Sequence, residues 1–266
     1  MGWLYQLQAC NKKFISAAPA TFKVIDPFND ASVRWTVSDV QTMRGSAQTK
    51  MLAYLSIGEA EDYRDYWDKA WNEEKSRPSW LDRENPDWPG NFKVHYWAKD
   101  WQNIILREVG SIIDQGFDGV YLDIIDGYEY YEERYNRRDY ALEMVNFVKT
   151  ITTYARTRRP GFLIVPQNGE GLLERADYVK TISAIGKEDV FFGVDGDGHR
   201  NDPAYTRAVL DDLKPLTEVG KPVLLVEYGL GPRQREIVRQ AAREHGFIPF
   251  FACRQLDVSC APEPCA

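Results

Sequence analysis

Gly119-Val120-Tyr121-Leu122-Asp123 decides the fold. Between the glycine and the aspartate every residue is apolar or aromatic, which suits a short buried strand, and the run closes on a carboxylate. Just ahead of it, Ile105, Val109, Ile112 and Ile113 recur at helical spacing and stop at Gly116, a helix-ending glycine. A helix feeding a short buried strand is the repeating unit of a parallel sheet. Outward in both directions the same alternation yields seven further runs, at 3–9, 22–26, 51–57, 162–166, 178–185, 223–227 and 247–252. Eight such strands predict an α/β fold, a single (β/α)8 TIM barrel occupying residues 1–266 as one domain.

Other helices carry their own punctuation. Asp202-Pro203 pairs an N-cap acceptor with a first-turn proline, and residues 233–244 end before Gly246 with Ile237, Val238 and Ala241 on one face. Between the third and fourth strands the spacing is long and Trp-rich, holding Trp67, Trp71, Trp80, Trp88, Trp97 and Trp101. This insertion is expected to wall one face of the barrel. Trp67 with Trp71 and Trp97 with Trp101 are four residues apart, which predicts packing on helix faces. Trp80 and Trp88 lie in Pro-rich sequence and are the candidates for an exposed aromatic platform.

In this architecture chemistry gathers at the C-terminal ends of the strands. Polar residues accumulate there: Asp26 after the second run, Glu59 and Glu61 after the third, Asp123 and Asp126 after the fourth, and Gln167-Asn168 after the fifth. Glu188-Asp189 follow the sixth, Glu227-Tyr228 the seventh, and Arg254 and Asp257 the eighth. A lone carboxylate at a strand end is more often a cap or an ion-pair partner than a catalyst. A ring of them is different, because mutual repulsion pushes some pKa values up and supplies protonated and ionised carboxyls together. His95, His199 and His245 are scattered and none ends a strand, which disfavours a histidine triad or histidine metal site. Asp195, Asp197 and Asp202 offer a weak calcium alternative; otherwise no cofactor or metal is expected. Paired carboxylates with aromatic platforms describe glycoside hydrolysis, with Asp123 as nucleophile and Glu188, beside apolar Val190-Phe191-Phe192, as the acid.

The net charge of −7, with no Lys/Arg-rich block, excludes the usual electrostatic footprint of a nucleic-acid binder and suits a neutral or cationic ligand. A 44% hydrophobic fraction with 27% charged residues is ordinary for a globular chain, and no apolar run reaches membrane-span length. The opening Met1-Gly2-Trp3-Leu4-Tyr5 enters strand-like sequence without a secretory signal, so the protein is either intracellular or has lost a signal. Cys10, Cys253, Cys260 and Cys265 sit at the two chain ends, where a closed barrel brings its first and last strands together. A disulfide from Cys10 to one of the other three is therefore expected, which implies an oxidising compartment.

Four stretches carry a family resemblance: residues 3–7; Ala53-Tyr54-Leu55-Ser56-Ile57-Gly58-Glu59-Ala60-Glu61-Asp62-Tyr63-Arg64; Gly116-Phe117-Asp118-Gly119-Val120-Tyr121-Leu122-Asp123 with Asp126-Gly127-Tyr128; and 246–257. Together they resemble the endo-α-1,4-polygalactosaminidases, glycoside hydrolase family 114, in its bacterial and archaeal-type branch. The resemblance implies a barrel that cuts α-1,4-linked galactosamine polymers, with an aspartate ending strand four and a glutamate after strand six as the catalytic pair. These fall on Asp123 and Glu188, with Glu170 and Glu227 still open as partners of Asp123. Asp26, Tyr54, Glu59, Asp126, Asn168, Glu227, Tyr228 and Arg254 are then expected to bind a polysaccharide or oligosaccharide substrate. A secreted or extracytoplasmic protein acting as a monomer is expected, with a cytoplasmic location still open. Another α-linked glycan, or binding without catalysis, stays open as an alternative.

Overall fold

The computed structural model describes residues 2–135 and 139–257. Its parallel strands are β1 (Trp3–Gln6), β2 (Phe22–Ile25), β3 (Lys50–Ser56), β7 (Gly119–Asp123), β8 (Leu163–Pro166), β9 (Ile185–Glu188), β12 (Val223–Tyr228) and β13 (Ile248–Ala252). Between β3 and β7 lies a small antiparallel sheet of β4 (Glu59–Glu61), β5 (Leu81–Glu84) and β6 (Asn91–Val94), and after β9 a hairpin of β10 (Phe192–Gly193) and β11 (Gly196–Arg200). The helices are α1 (Lys12–Ala17), α2 (Val37–Arg44), α3 (Lys99–Asp114), α4 (Gly127–Arg134), α5 (Tyr140–Arg158), α6 (Ala176–Thr181), α7 (Pro203–Thr217) and α8 (Pro232–His245). The chain is thus an α/β protein with parallel sheet, as the alternation predicts.

The eight strands are hydrogen-bonded as a sheet of five, β1-β2-β3-β7-β8, and a sheet of three, β13-β12-β9. One bridge, Gln167 with Gly186, crosses from β8 to β9. Side chains of β1 reach far strands: Trp3 Nε1 donates to Leu225 O at 3.2 Å, and Tyr5 OH to Gln167 Oε1 at 2.9 Å. The rings of Trp3, Tyr5, Tyr121 and Phe250 pack together with centroids 5.1–6.2 Å apart, Trp3 and Tyr5 stacked and the other contacts tilted.

One strand differs from expectation. Residues 178–185 were expected to be extended, yet Tyr178, Val179 and Ile182 bury the face of the short helix α6 and of its C-terminal residue, and the strand begins only at Ile185. Their spacing is helical, whereas Ile185-Gly186-Lys187-Glu188 hides its strand character behind a glycine and two charges. Gly186 is required by packing, since a Cβ there would lie 1.9 Å from the Tyr121 hydroxyl.

The caps follow the sequence. Asp202 accepts from Ala204 N at the start of α7, and Gly246 ends α8 in the left-handed conformation at φ +70°. On α8, however, Val238 and Ala242 are buried while Ile237 is exposed, so the apolar face is rotated from the one expected. The tryptophan pairs are not on helix faces: Trp71 lies in a 3-10 turn (Lys69–Asn72) and Trp97 precedes α3, although the rings of Trp67 and Trp71 still meet edge to face at 5.3 Å. Trp80 is buried, against Trp71 and Trp101, and is no platform; Trp88 is 61% exposed. Cys10 donates to Gln6 O at 3.6 Å and forms no disulfide with Cys253; Cys260 and Cys265 lie outside the described residues.

The two ends of the strands are built differently. At the N-terminal end, buried Lys23 donates to Ile15 O, Ser16 O, Met43 O and Arg44 O, tying down the C-terminal turns of α1 and α2 where an ammonium is favoured. Asp118 there pairs with Arg44 and Arg159. These groups consume one another and hold the fold. At the opposite end the acids face a cleft.

Candidate active site

The cleft, about 640 Å³, opens at the C-terminal ends of the parallel strands and is lined by Asp26, Tyr54, Glu59, Asp123, Asp126, Asn168, Glu188, Tyr228 and Arg254. Its size is that of a ligand pocket. Three successive strand ends turn sharply into it: Ile124, Asn168 and Asp189, which follow Asp123, Gln167 and Glu188, all have φ between +54° and +57°. For β-branched Ile124 in particular this left-handed backbone is costly, about 1–3 kcal/mol, and such strain concentrates at functional sites.

Both carboxylates at the centre are fixed at both oxygens. Asp123 Oδ2 accepts from Tyr54 OH at 2.7 Å and Oδ1 from Ile124 N at 2.8 Å. Glu188 Oε2 accepts from Gln167 Nε2 at 2.9 Å and Tyr228 OH at 3.0 Å, and Oε1 from Asn168 Nδ2 at 3.2 Å. The donors are themselves oriented. Tyr5 OH fixes the Gln167 amide, and Lys187 Nζ donates to Asn168 Oδ1 at 3.3 Å while pairing with Glu170 at 3.3 Å. Glu170 is thus the partner of Lys187 and does not line the cleft.

Burial pushes Asp123 up to about 7, with the Glu188 charge adding to it and the Tyr54 hydrogen bond opposing. Asp126 rises to about 6 through burial, then the charges of Glu129 and Glu188. Asp189 rises to about 6 through burial, offset by Arg254. A cleft holding carboxyls that titrate near neutrality can supply both a proton and an anionic oxygen.

Most of the remaining charges are paired. Arg64, unremarked in the sequence, sits between Asp26 at 2.9 Å and Glu61 at 2.5 Å, and its i,i+3 spacing from Glu61 was the available signal. Glu59 is held by Asn85, Lys93 and Asn91. Arg254 bridges Asp189 at 3.0 Å and Asp197 at 2.6 Å and lies over the Tyr228 ring at 4.7 Å, so its guanidinium braces the wall behind Glu188. With Asp197 taken by Arg254 and Asp202 by its cap, the calcium alternative loses its ligands; no cluster of three or more His, Cys, Asp or Glu suited to a metal occurs among the described residues.

Glu227 is not in the cleft. It is fully buried and accepts from Phe191 N at 2.8 Å and Phe192 N at 3.1 Å, clamping the segment after β9; burial raises it to about 8. Tyr228 faces Glu188, so its strand neighbour Glu227 must point the other way. Glu227→Ala is expected to leave two buried N–H groups without acceptors and to cost about 2–4 kcal/mol, read as a lower denaturant midpoint. Unchanged stability with a raised KM would instead return Glu227 to substrate binding.

The family that the sequence matches places this carboxylate cleft among the glycoside hydrolases. More particularly, residues 1–262 match the family model of Glycoside-hydrolase family GH114, and the chain belongs to that family. An uncharacterized protein of Deinococcus radiodurans is 38% identical over 259 residues, covering 96% of this chain and 81% of that protein. Among solved structures, Aspergillus fumigatus Ega3 in complex with galactosamine superposes with a TM-score of 0.73 at 20% identity, over 96% of this chain and 92% of that one. The glycoside hydrolase domain of PelA from Pseudomonas aeruginosa superposes at 0.75 and 19% identity, over 99% and 98%.

Proposed function

We propose that this glycoside hydrolase cleaves α-1,4-linked galactosamine-type polysaccharide internally, with Asp123 as nucleophile and Glu188 as general acid and base. The carrying observation is the pair of strand-end carboxylates, Asp123 on β7 and Glu188 on β9, both lining one cleft and each held at both oxygens. Ionised Asp123 attacks the anomeric carbon while protonated Glu188 gives its proton to the departing glycosidic oxygen; Glu188 then takes a proton from the water that releases the sugar.

The electrostatics favour an amino sugar. Both arginines lining the cleft are already ion-paired, whereas Asp126 forms no ion pair with any described residue and lies beside the catalytic pair. A sugar ammonium there would neutralise it. The bound galactosamine named for Ega3 points to the same substrate class. Tyr54, Asn168 and Tyr228 position the two carboxylates, and Asp26 and Glu59 contribute polar wall.

Within the same proposal the two parallel sheets close as one (β/α)8 barrel, a single domain over residues 1–266 acting as a monomer. The Gln167–Gly186 bridge, the bonds from Leu7 N and Gln8 N to Leu256 O, and the reach of Trp3 to Leu225 support closure. No helix of the described residues is long and apolar enough to cross a membrane. A polymer substrate fits a secreted or extracytoplasmic protein.

Incubation with purified α-1,4-galactosamine polymer is the test. Polymer length, followed by size-exclusion chromatography, is expected to fall before monosaccharide accumulates. An intact polymer, with another α-linked glycan cut instead, would overturn the substrate assignment.

A further inference from the structure

The turn between β5 and β6 presents an exposed tryptophan to the cleft. Trp88 is 61% exposed, and Tyr63, 55% exposed, lines the same cleft; large aromatics left in water at a ligand groove mark a binding surface. Both are rigidly mounted. Asn85 N donates to Asn91 O at 2.7 Å, Asn91 N to Trp88 O at 3.0 Å, Gly90 N to Glu84 Oε1 at 2.8 Å, and Asp62 N to Gly90 O at 2.9 Å. Gly90 has φ +88°, and a Cβ there would lie 2.8 Å from Asp62 Oδ1, so the turn requires glycine at this position. Pro86 and Pro89 restrict it further. Tyr63 is tethered by its hydroxyl to Glu61 Oε1 at 2.6 Å, with the Arg64 guanidinium 5.1 Å from its ring centre. Surfaces this constrained lose little conformational freedom on binding.

The turn belongs to the antiparallel sheet, not to the strands that carry Asp123 and Glu188. We infer that Trp88, with Tyr63, forms a stacking subsite for a sugar unit of the polymer away from the reacting bond, and that it prefers galacto-configured units. A ring with axial O4 gathers its C3, C4 and C5 hydrogens on one apolar face, which lies flat on an indole; an equatorial O4 breaks that face. This inference rests on the polysaccharide reading above, and it locates where chain length is sensed.

Affinity electrophoresis through gels containing α-1,4-galactosamine polymer tests it, with chitosan as the gluco-configured comparison and Asp123→Asn as background so that the polymer stays intact. Trp88→Ala is expected to weaken binding about three- to tenfold, Trp88→Phe to keep most of it, and chitosan to retard the protein less. In the otherwise unaltered enzyme, Trp88→Ala should raise KM on the polymer by a similar factor and leave turnover of an aryl α-galactosaminide unchanged. Equal retardation with and without Trp88, equal retardation by both polymers, or an equal loss on the aryl glycoside would each overturn the subsite. Retardation that depends on Trp88 in a protein that never cuts the polymer would support the subsite and remove only the hydrolytic assignment.

Discussion

Asp123→Asn is expected to lower kcat on the polymer by about ten-thousandfold or more while leaving the fold intact. The amide keeps an oxygen to accept the Tyr54 hydrogen bond, but it cannot supply the anionic oxygen that would bond to the anomeric carbon. The pH dependence of the parent enzyme follows from the same residue. Burial raises Asp123 to about 7, so the attacking form accumulates only as pH climbs through that value, and kcat/KM should show an acid limb there. Once substrate ammonium groups occupy the acidic cleft they favour the carboxylate, so the acid limb of kcat should lie lower. Stability runs the opposite way. The folded pKa is above the ordinary 3.8, so the stabilisation conferred by the neutral form is complete below about pH 4 and lost as pH rises through about 7. Asp123→Asn escapes that loss, and its melting temperature should exceed the parent's at pH 8, by on the order of several degrees, and not at pH 4. Near-normal turnover by Asp123→Asn would remove Asp123 from its assigned role, and an equal melting temperature at pH 8 would show that burial does not raise its pKa.

How much of this was legible in the sequence depended on how each strand balances packing against function. β7 was plain because Val120, Tyr121 and Leu122 are all fully buried and nothing polar interrupts them. β9 was shifted because only Ile185 is a conventional strand residue: Gly186 makes room for the Tyr121 hydroxyl, and Lys187 hides its stem while its ammonium orients Asn168. Glu188, read as following the sixth strand, is the last residue of β9. The misassignment of Glu227 was avoidable. Alternation along β12 allows Glu227 or Tyr228 to face Glu188, not both, and the hydroxyl took the inner side.

What no residue pattern disclosed was the bracing behind the cleft. Tyr5 is on β1, Gln167 follows β8, and their hydrogen bond spans 162 residues of sequence. Arg64 and Lys187 are nearly buried, their side chains 7% and 8% exposed; beyond the i,i+3 spacing of Arg64 from Glu61, nothing local marks their pairing with Asp26 and Glu170. Long-range pairing of this kind leaves no local periodicity. It also explains why the strand-end acids need not all be catalytic: Glu61 and Asp26 share Arg64, Glu59 holds Lys93 and Glu227 clamps backbone, while Asp123, Asp126 and Glu188 line the cleft with no ion pair to a described residue. Ion pairing has sorted the ring into acids that neutralise a cation and acids that do not.

Glu188→Gln separates the roles of the two carboxylates. On the polymer it is expected to lower kcat by about 10²–10⁴-fold, because the departing sugar oxygen is a poor leaving group and no proton reaches it. Substrates whose leaving group needs no proton, a dinitrophenyl glycoside or a glycosyl fluoride, should still pass through the first step almost unimpeded. Water would then be the slow partner, having lost its base, so a burst of leaving group should precede a slow steady rate. Added azide, a nucleophile already ionised, should speed that steady rate, most clearly in Glu188→Ala, where the missing side chain leaves room beside Gln167, Asn168 and Tyr228. Asp123→Asn has no such escape, since the bond it fails to make is required whatever the leaving group. The converse pattern, with activated substrates sparing Asp123→Asn and not Glu188→Gln, would exchange the two roles: the proton held by Asp123 near neutrality would be the one delivered, and Glu188, held by its three donors, would be the nucleophile.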